Sequence, residues 1–239
     1  TGVYKSRDLR APGSGAKGIV KAIDYLTASN RAANFGDTVP EFESGELNAS
    51  GKKVVVIGGG DTAMDCVRTA IRQGATSVKC LYRRDRANMP GSQRETQNAE
   101  EEGVQFEWLT APKGFKGDDV VNAVIVQKMR LGVPDASGRQ SPELIDGSDY
   151  EEPADLVIKA LGFEPEELPT LWGAPELEVT RWGTVKAEFT SGRTALPGVY
   201  AVGDIVRGAS LVVWAIRDGR DCAEHILQDL DRSASIAAE

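Results

Sequence analysis

Six consecutive residues, Gly58-Gly59-Gly60-Asp61-Thr62-Ala63, separate a β-branched run, Lys53-Val54-Val55-Val56-Ile57, from a stretch with helical periodicity. They fit the pattern G-x-G-x-x-A. The first glycine permits a tight turn, the second lets the backbone approach a pyrophosphate, and the small Ala63 lets helix and strand pack closely. The helix start adds unpaired N–H groups and a positive dipole end. A glycine triplet alone is equally a plain strand-to-helix turn. The strand before it, the amphipathic helix after it and a second strand at the right distance point to a dinucleotide site.

About 20 residues further on, an NAD site carries Asp or Glu for the ribose hydroxyls. Here that position reads Leu81-Tyr82-Arg83-Arg84. Two guanidiniums cannot accept a hydroxyl hydrogen bond, but their planar donors match a phosphate. Arg83 and Arg84 therefore predict NADP(H), with a solvated basic pair beside Asp85 and Arg86 as the competing explanation.

Two further clusters have two readings each. Ser92 and Glu95 have the S-x-x-E spacing of a capping box, which accounts for Glu95 structurally. Gly203-Asp204 follows an apolar run, so Asp204 reads either as a helix cap or as a carboxylate that accepts hydrogen bonds from a sugar-like polyol at a sheet edge. The following helix, from about Ser210, could direct its positive end at negative charge on a flavin.

The elements that must position these residues are legible from periodicity. Ala63, Cys66, Val67, Ala70 and Ile71 repeat at helical spacing, with Gly74 as the stop. Strands are expected at 53–57, 77–82 and 104–109, with a second helix opening at Ser92 and ending at Gly103. This is β-α-β-α-β, the pattern of a parallel sheet. From Gly114 to Glu152 the helical period disappears. Strand-like runs at 120–131 and 144–150, with turn signals at Pro134-Asp135-Ala136-Ser137-Gly138, predict an antiparallel meander. Asp155 to Ala160 returns as a buried strand. Upstream, Ile19 to about Ala32 reads as a helix and Asn34 to Gly51 as a connector. Downstream, 163–193 is loop-rich, Gly198 to Val202 reads as a strand, and a long helix runs from about Ser210 to Leu230.

Composition narrows the function classes. The 239 residues carry 28 Lys+Arg against 36 Asp+Glu, a net charge of −8 that disfavours nucleic acid and anionic membranes as partners. Cys66, Cys80 and Cys222 have no metal-ligand spacing and read as core thiols; His225 stands alone and reads as a solvated helix-face residue, so no metal site and no acid–base or nucleophilic catalytic group is expected. With no signal-peptide run, the expected location is cytoplasmic.

The glycine turn, the arginine pair, Ala160-Leu161-Gly162-Phe163-Glu164-Pro165 and Gly203-Asp204 together resemble the flavoprotein oxidoreductases with two dinucleotide-binding domains. Tyr82-Arg83-Arg84, Met89-Pro90-Gly91 and Gly203-Asp204-Ile205-Val206-Arg207-Gly208-Ala209-Ser210 are similar in detail to the small (β) subunits of bacterial NADPH-dependent glutamate synthases, a likeness running over essentially the whole chain. The resemblance implies an α/β fold: a Rossmann-like NADPH-binding domain with a β-meander, at 49–165. This would lie between a FAD-domain remnant and connector at 1–48 and the C-terminal part of the FAD-binding domain at 166–239.

In that family, electrons pass from NADPH to FAD and through iron–sulfur clusters to a large subunit that makes glutamate from glutamine and 2-oxoglutarate. Carried over by position, Gly58, Gly60, Asp61, Thr62 and Ala63 would hold the pyrophosphate, and Arg83 and Arg84 the 2′-phosphate. Ala160, Leu161 and Gly162 would lie against the cofactor, and Glu95 near the nicotinamide. Asp204 would bind the FAD ribityl chain, with Ala209, Ser210, Leu211 and Val212 near the flavin. Thr1-Gly2 resembles the tail of the strand that ends the first FAD segment, so the chain is expected to be an N-terminally truncated fragment. It lacks the family's first glycine turn and cysteine clusters, so iron–sulfur clusters are expected only further N-terminal. FAD binding by this chain should then be weak or absent, and the chain inactive alone. A module that binds NADP(H) without turnover stays open, as does a related ferredoxin-linked or dihydropyrimidine dehydrogenase-type reductase with another acceptor.

Overall fold

In the computed structural model, which describes residues 1–136, 138 and 140–237, the chain divides into two units. One comprises Asp8–Gly162; the other joins Thr1–Arg7 to Phe163–Glu239. These limits differ from the boundaries at 48/49 and 165/166 expected from the sequence.

In chain order the elements are β1 (Lys5–Ser6), β2 (Ile19–Lys21), α1 (Ala22–Asn34), α2 (Pro40–Glu43), β3 (Lys53–Ile57), α3 (Asp61–Arg72), β4 (Ser77–Tyr82), α4 (Gln93–Glu101) and β5 (Gln105–Trp108). There follow β6 (Thr110–Lys116), β7 (Ala123–Pro134), β8 (Gln140–Leu144), β9 (Tyr150–Pro153), β10 (Leu156–Lys159), β11 (Phe163–Glu164), α5 (Leu168–Leu171), α6 (Asp204–Arg207) and α7 (Val212–Ala237).

In the 8–162 unit a five-stranded parallel sheet has the order β2-β10-β3-β4-β5. The expected β-α-β-α-β run forms its β3-to-β5 half. The β-branched run of β3 is buried almost throughout, as a parallel strand covered on both faces must be. Because strand side chains alternate, the two faces carry different partners. Val54 and Val56 join Tyr25 of α1, Met64, Cys66 and Val67 of α3 and Ala99 of α4 in one core. Val55 and Ile57 join Leu81 and Val157 with Phe115, Val124 and Val126 of the antiparallel sheet in a second core. The sheet is therefore sandwiched between three helices and a meander of β6, β7 and β8, with β9 also paired to β7.

Three local expectations are corrected. Ile19–Lys21 is strand rather than helix, because it pairs in parallel with Val157–Lys159 and so adds an edge to the sheet. The helix begins at Ala22. Of the strand-like 144–150 run only the ends are strand, Leu144 closing β8 and Tyr150 opening β9, and 145–149 turn between them; of the turn predicted just upstream, Ser137 lies outside the described residues. The third correction is in the other unit, where Gly198–Val202 forms no ladder strand and is held by an isolated bridge between Arg193 and Tyr200. That unit has a small core of Leu168, Leu177, Val185 and Ile205. Its long helix α7 leaves Val212, Val213, Trp214, Ile216, Leu227 and Leu230 exposed.

Met64 is 1% exposed beneath the sheet. Met64→Ala should lower the unfolding free energy by about 2–5 kcal/mol through lost burial and a residual cavity. Val133→Ala, at a residue 88% exposed, should shift it by less than about 0.5 kcal/mol. Urea unfolding of both variants checks the contrast.

Candidate dinucleotide-binding site

The glycine turn sits at the carboxyl end of β3, flanked by the ends of β10 and β4. Gly58 has φ +152°, and a Cβ there would stand 2.2 Å from the Ala160 carbonyl oxygen. A Cβ on Gly59 would stand 2.4 Å from the Tyr82 ring. Both positions thus require glycine on contact grounds, and at Gly58 on backbone grounds as well. Beside Gly60, by contrast, a Cβ would meet nothing within 4 Å, so the turn faces open space.

The turn's own hydrogen bonds use the N–H groups of Gly58, which donates to the Leu81 carbonyl at 3.1 Å, and of Ala63 and Met64, which donate to the Gly60 carbonyl. Among the described residues the N–H groups of Gly60, Asp61 and Thr62 have no backbone partner. They are the unpaired donors of a helix start. Gly60 is the N-cap, and no side chain caps α3. Ala63 is fully buried against the sheet.

Arg83 and Arg84 follow β4 directly, on the strand neighbouring this turn. Arg83 is exposed and Arg84 half-buried, and neither side chain has a hydrogen bond or ion pair among the described residues. The Nε of Arg84 is buried without a partner. Nearby Arg86, in contrast, is paired to Glu100 at 2.8 Å. The Tyr82 ring packs edge-on to Trp108, with centroids 6.4 Å apart, and Trp108 stacks on Phe106 at 4.9 Å. A glycine cradle that a Cβ would fill and two guanidiniums without counter-ions fit a phosphorylated dinucleotide.

Glu95 does not complete the capping box that its spacing suggests. Ser92 makes no side-chain cap of α4, so the capping box does not form. The Ser92 N–H donates instead to Asp61 Oδ1 at 2.8 Å. Glu95 forms an ion pair with Arg68 of α3. Arg68 also donates to Glu102 Oε1 at 2.7 Å, and Arg72 reaches the same oxygen at 2.8 Å. This network ties α4 to α3. Sequence reasoning also missed the roles of Tyr82, Gly91 and Ser92; the signal available for Gly91 was a glycine after proline in a polar loop.

Ala160 donates its N–H to the Ile57 carbonyl and is buried, Leu161 packs against the meander-side core, and Gly162 has φ +84°. These three lie beside the turn, in the same unit.

The other predicted residues lie in the second unit. Gly203, with φ +71°, is the N-cap of α6 and Asp204 its first residue. The Asp204 carboxylate caps nothing, and no hydrogen bond or ion pair engages it among the described residues. Ala209, Ser210, Leu211 and Val212 are all exposed. Arg207 instead forms a bidentate pair with Asp218, at 2.5 and 2.6 Å, beneath Phe189 and Trp214.

Cys66 and Cys80 are fully buried, and burial pushes the Cys80 thiol up to about 12 and the Cys66 thiol up as well. Such thiols are poor nucleophiles at neutral pH. His225 is half-buried rather than solvated, its Nδ1 buried without a partner. Among the described residues no group of three or more His, Cys, Asp or Glu is arranged to hold a metal ion, and no helix is long and apolar enough to cross a membrane.

A parallel sheet ending in a glycine turn at its carboxyl edge, beside unpaired arginines, is an arrangement suited to a nucleotide. Residues 1–219 match the pyridine nucleotide-disulphide oxidoreductase family, to which the chain belongs. It is 67% identical, over 95% of its length, to the glutamate synthase NADPH small chain of Azospirillum brasilense. It is 73% identical, over its whole length, to a Cereibacter sphaeroides protein provisionally given the same name. The chain spans about half of these relatives, 47% and 57% of their respective lengths. Mycobacterium tuberculosis FprA, solved in complex with NADPH, has the same fold, with a TM-score of 0.75 at 21% identity over 99% of this chain and 64% of that one.

The Arg68–Glu102–Arg72 cluster makes a pH-dependent contribution to stability. The guanidiniums hold the Glu102 carboxyl below its ordinary value of 4.5. A carboxylate with a lowered folded-state pKa stabilises the fold above its unfolded value and loses that contribution as pH falls through the folded value. Melting temperature should therefore fall as pH drops below about 4.5. Glu102→Gln should flatten that part of the profile, as thermal melts between pH 7 and pH 3 would show.

Proposed function

We propose that this chain supplies the NADPH-binding part of a flavoprotein oxidoreductase of the glutamate synthase small-subunit type. The observation that carries the reading is the pair of unpaired guanidiniums, Arg83 and Arg84, on the strand beside a glycine turn with free N–H donors. In a chain of net charge −8 neither guanidinium has a carboxylate partner among the described residues, and the buried, unsatisfied Nε of Arg84 costs stability unless a ligand supplies an acceptor. A 2′-phosphate beside a pyrophosphate supplies it at this spacing.

On this reading Gly58, Gly59 and Gly60 admit the pyrophosphate to the backbone, and the N–H groups of Gly60, Asp61 and Thr62 donate to its oxygens. Ala63 keeps the helix close to the strand. Arg83 and Arg84 take the 2′-phosphate, and Ala160, Leu161 and Gly162 form the wall beside β10. Glu95, held by Arg68, stands on the first turn of α4. In the second unit, Asp204 offers a carboxylate to the ribityl hydroxyls of FAD, and Ala209 to Val212 present exposed backbone to the flavin ring. When bound, NADPH supplies a hydride that FAD accepts. The protein contributes position and field rather than an acid or base.

The names of both close relatives support placing the whole protein in a glutamate-forming complex. There, electrons would leave through iron–sulfur clusters outside this chain to a large subunit. The net negative charge supports a setting without nucleic acid or membrane, and we place the whole protein in the cytoplasm.

Replacing Arg83 and Arg84 together by Ala should weaken NADPH binding far more than NADH binding, by about 1.5–3 kcal/mol per lost charged contact. Calorimetric titration of the chain with each nucleotide measures the difference. Equal losses for both would remove the 2′-phosphate assignment.

A further inference from the structure

The NADPH reading leaves Asp61 with no reason to be acidic, since a carboxylate on the first residue of α3 stands where a pyrophosphate comes and like charges repel. Its hydrogen bonding supplies one. Asp61 Oδ1 accepts the N–H of Ser92, the N-cap of α4, at 2.8 Å. The carboxylate is therefore engaged by the positive end of a second helix, in a charge-assisted bond.

Ser92 closes a segment that begins at the arginine pair. Along it, Tyr82 Oη donates to the Asn88 carbonyl at 2.9 Å, while Asp85 Oδ1 accepts from the Asn88 N–H and Nδ2 at 3.0 and 2.7 Å. The Gly91 N–H donates to the Gly59 carbonyl at 2.9 Å. A Cβ on Gly91 would stand 3.1 Å from that same carbonyl oxygen, so the segment lies directly on the turn. The ten residues from Arg83 to Ser92 thus leave β4 at the two guanidiniums and return to the glycines under a series of fixed bonds.

We infer that Asp61 is a positioning residue: it latches Gly91-Ser92 onto the phosphate turn and thereby sets where Arg83 and Arg84 stand relative to the glycines. Its effect falls on the choice of NADPH over NADH rather than on dinucleotide binding as such. This deepens, and rests on, the NADPH reading above.

The test titrates the 239-residue chain and its variants with NADPH and with NADH, with a thermal melt of each to establish folding. Asp61→Ala should lower the ratio of NADPH to NADH affinity at least tenfold, whatever common change the lost charge makes to both nucleotides. Asp61→Asn, whose amide oxygen can accept the same N–H, should restore the NADPH-to-NADH ratio to within threefold of the parent. Ser92→Pro removes the donor from the other side, at a residue whose φ of −56° suits proline. It should reproduce the Asp61→Ala ratio, and it decides the matter if Asp61→Ala does not fold.

A parent chain with no preference for NADPH would defeat the site reading itself. A preference that survives both Asp61→Ala and Ser92→Pro would overturn the latch alone. Equal loss of both nucleotides in Asp61→Ala would overturn it too, as would an Asp61→Asn chain no better than Asp61→Ala.

Discussion

The absence of side chains at three positions, where the ends of three neighbouring strands converge, governs the candidate site. β10 brings the Ala160 carbonyl against Gly58, and β4 brings the Tyr82 ring over Gly59, so the turn is filled from both sides by its neighbours. Only its outer side, at Gly60, is open. The start of α3 faces that opening with N–H groups the fold does not use. The site is therefore a consequence of sheet order. Placing β3 between β10 and β4 is what walls the turn, and the parallel direction of all three strands is what brings their carboxyl ends to one edge.

Sheet order is in turn secured by two different cores. Each apolar residue of β3 is committed to one face, Val54 and Val56 to the helices, Val55 and Ile57 to the meander, so a one-residue slip of register would exchange the two sets. The cross-links between α3 and α4 act in the same direction. Arg68 grips Glu95 and Glu102, and Arg72 shares Glu102, so the helix that starts at Ser92 is held to the helix that starts beside the glycine turn. Charged groups on the outer helical layer thereby hold the loop between β4 and α4 in place.

What was legible in the sequence is what local periodicity encodes. The run from Lys53 to Trp108 reads correctly because the β-branched strand, the amphipathic helix and the Gly74 and Gly103 stops are all short-range signals. Ile19–Lys21 reads as helix in the sequence because Ile19 falls at helical spacing with Ile23 and Leu26, and only pairing with β10, some 138 residues away, makes it a strand. Gly198–Val202 failed in the opposite sense. Its composition suits a strand, but its neighbours in the structure give it one bridge instead of a ladder. The capping box failed through competition. Ser92 and Glu95 have the right spacing, but Asp61, 31 residues upstream, takes the Ser92 N–H, and Arg68 takes Glu95. A local motif states which bonds are available and leaves open whether a distant partner offers a stronger, charge-assisted one.

The same competition bears on nucleotide choice. A helix start attracts any anion, and a glycine turn admits any pyrophosphate, so neither feature distinguishes NADPH from NADH. Discrimination needs charge at a fixed distance from the turn, and arginine side chains are long and flexible enough to lose that distance unless their backbone is held. In this chain, β4 fixes one end of the Arg83–Ser92 segment, and the bonds to Gly59 and Asp61 fix the other. An acidic residue in a phosphate turn is then no paradox. Its charge faces a second helix terminus, and on the proposed reading that bond is what keeps the two guanidiniums at a fixed place beside the glycines.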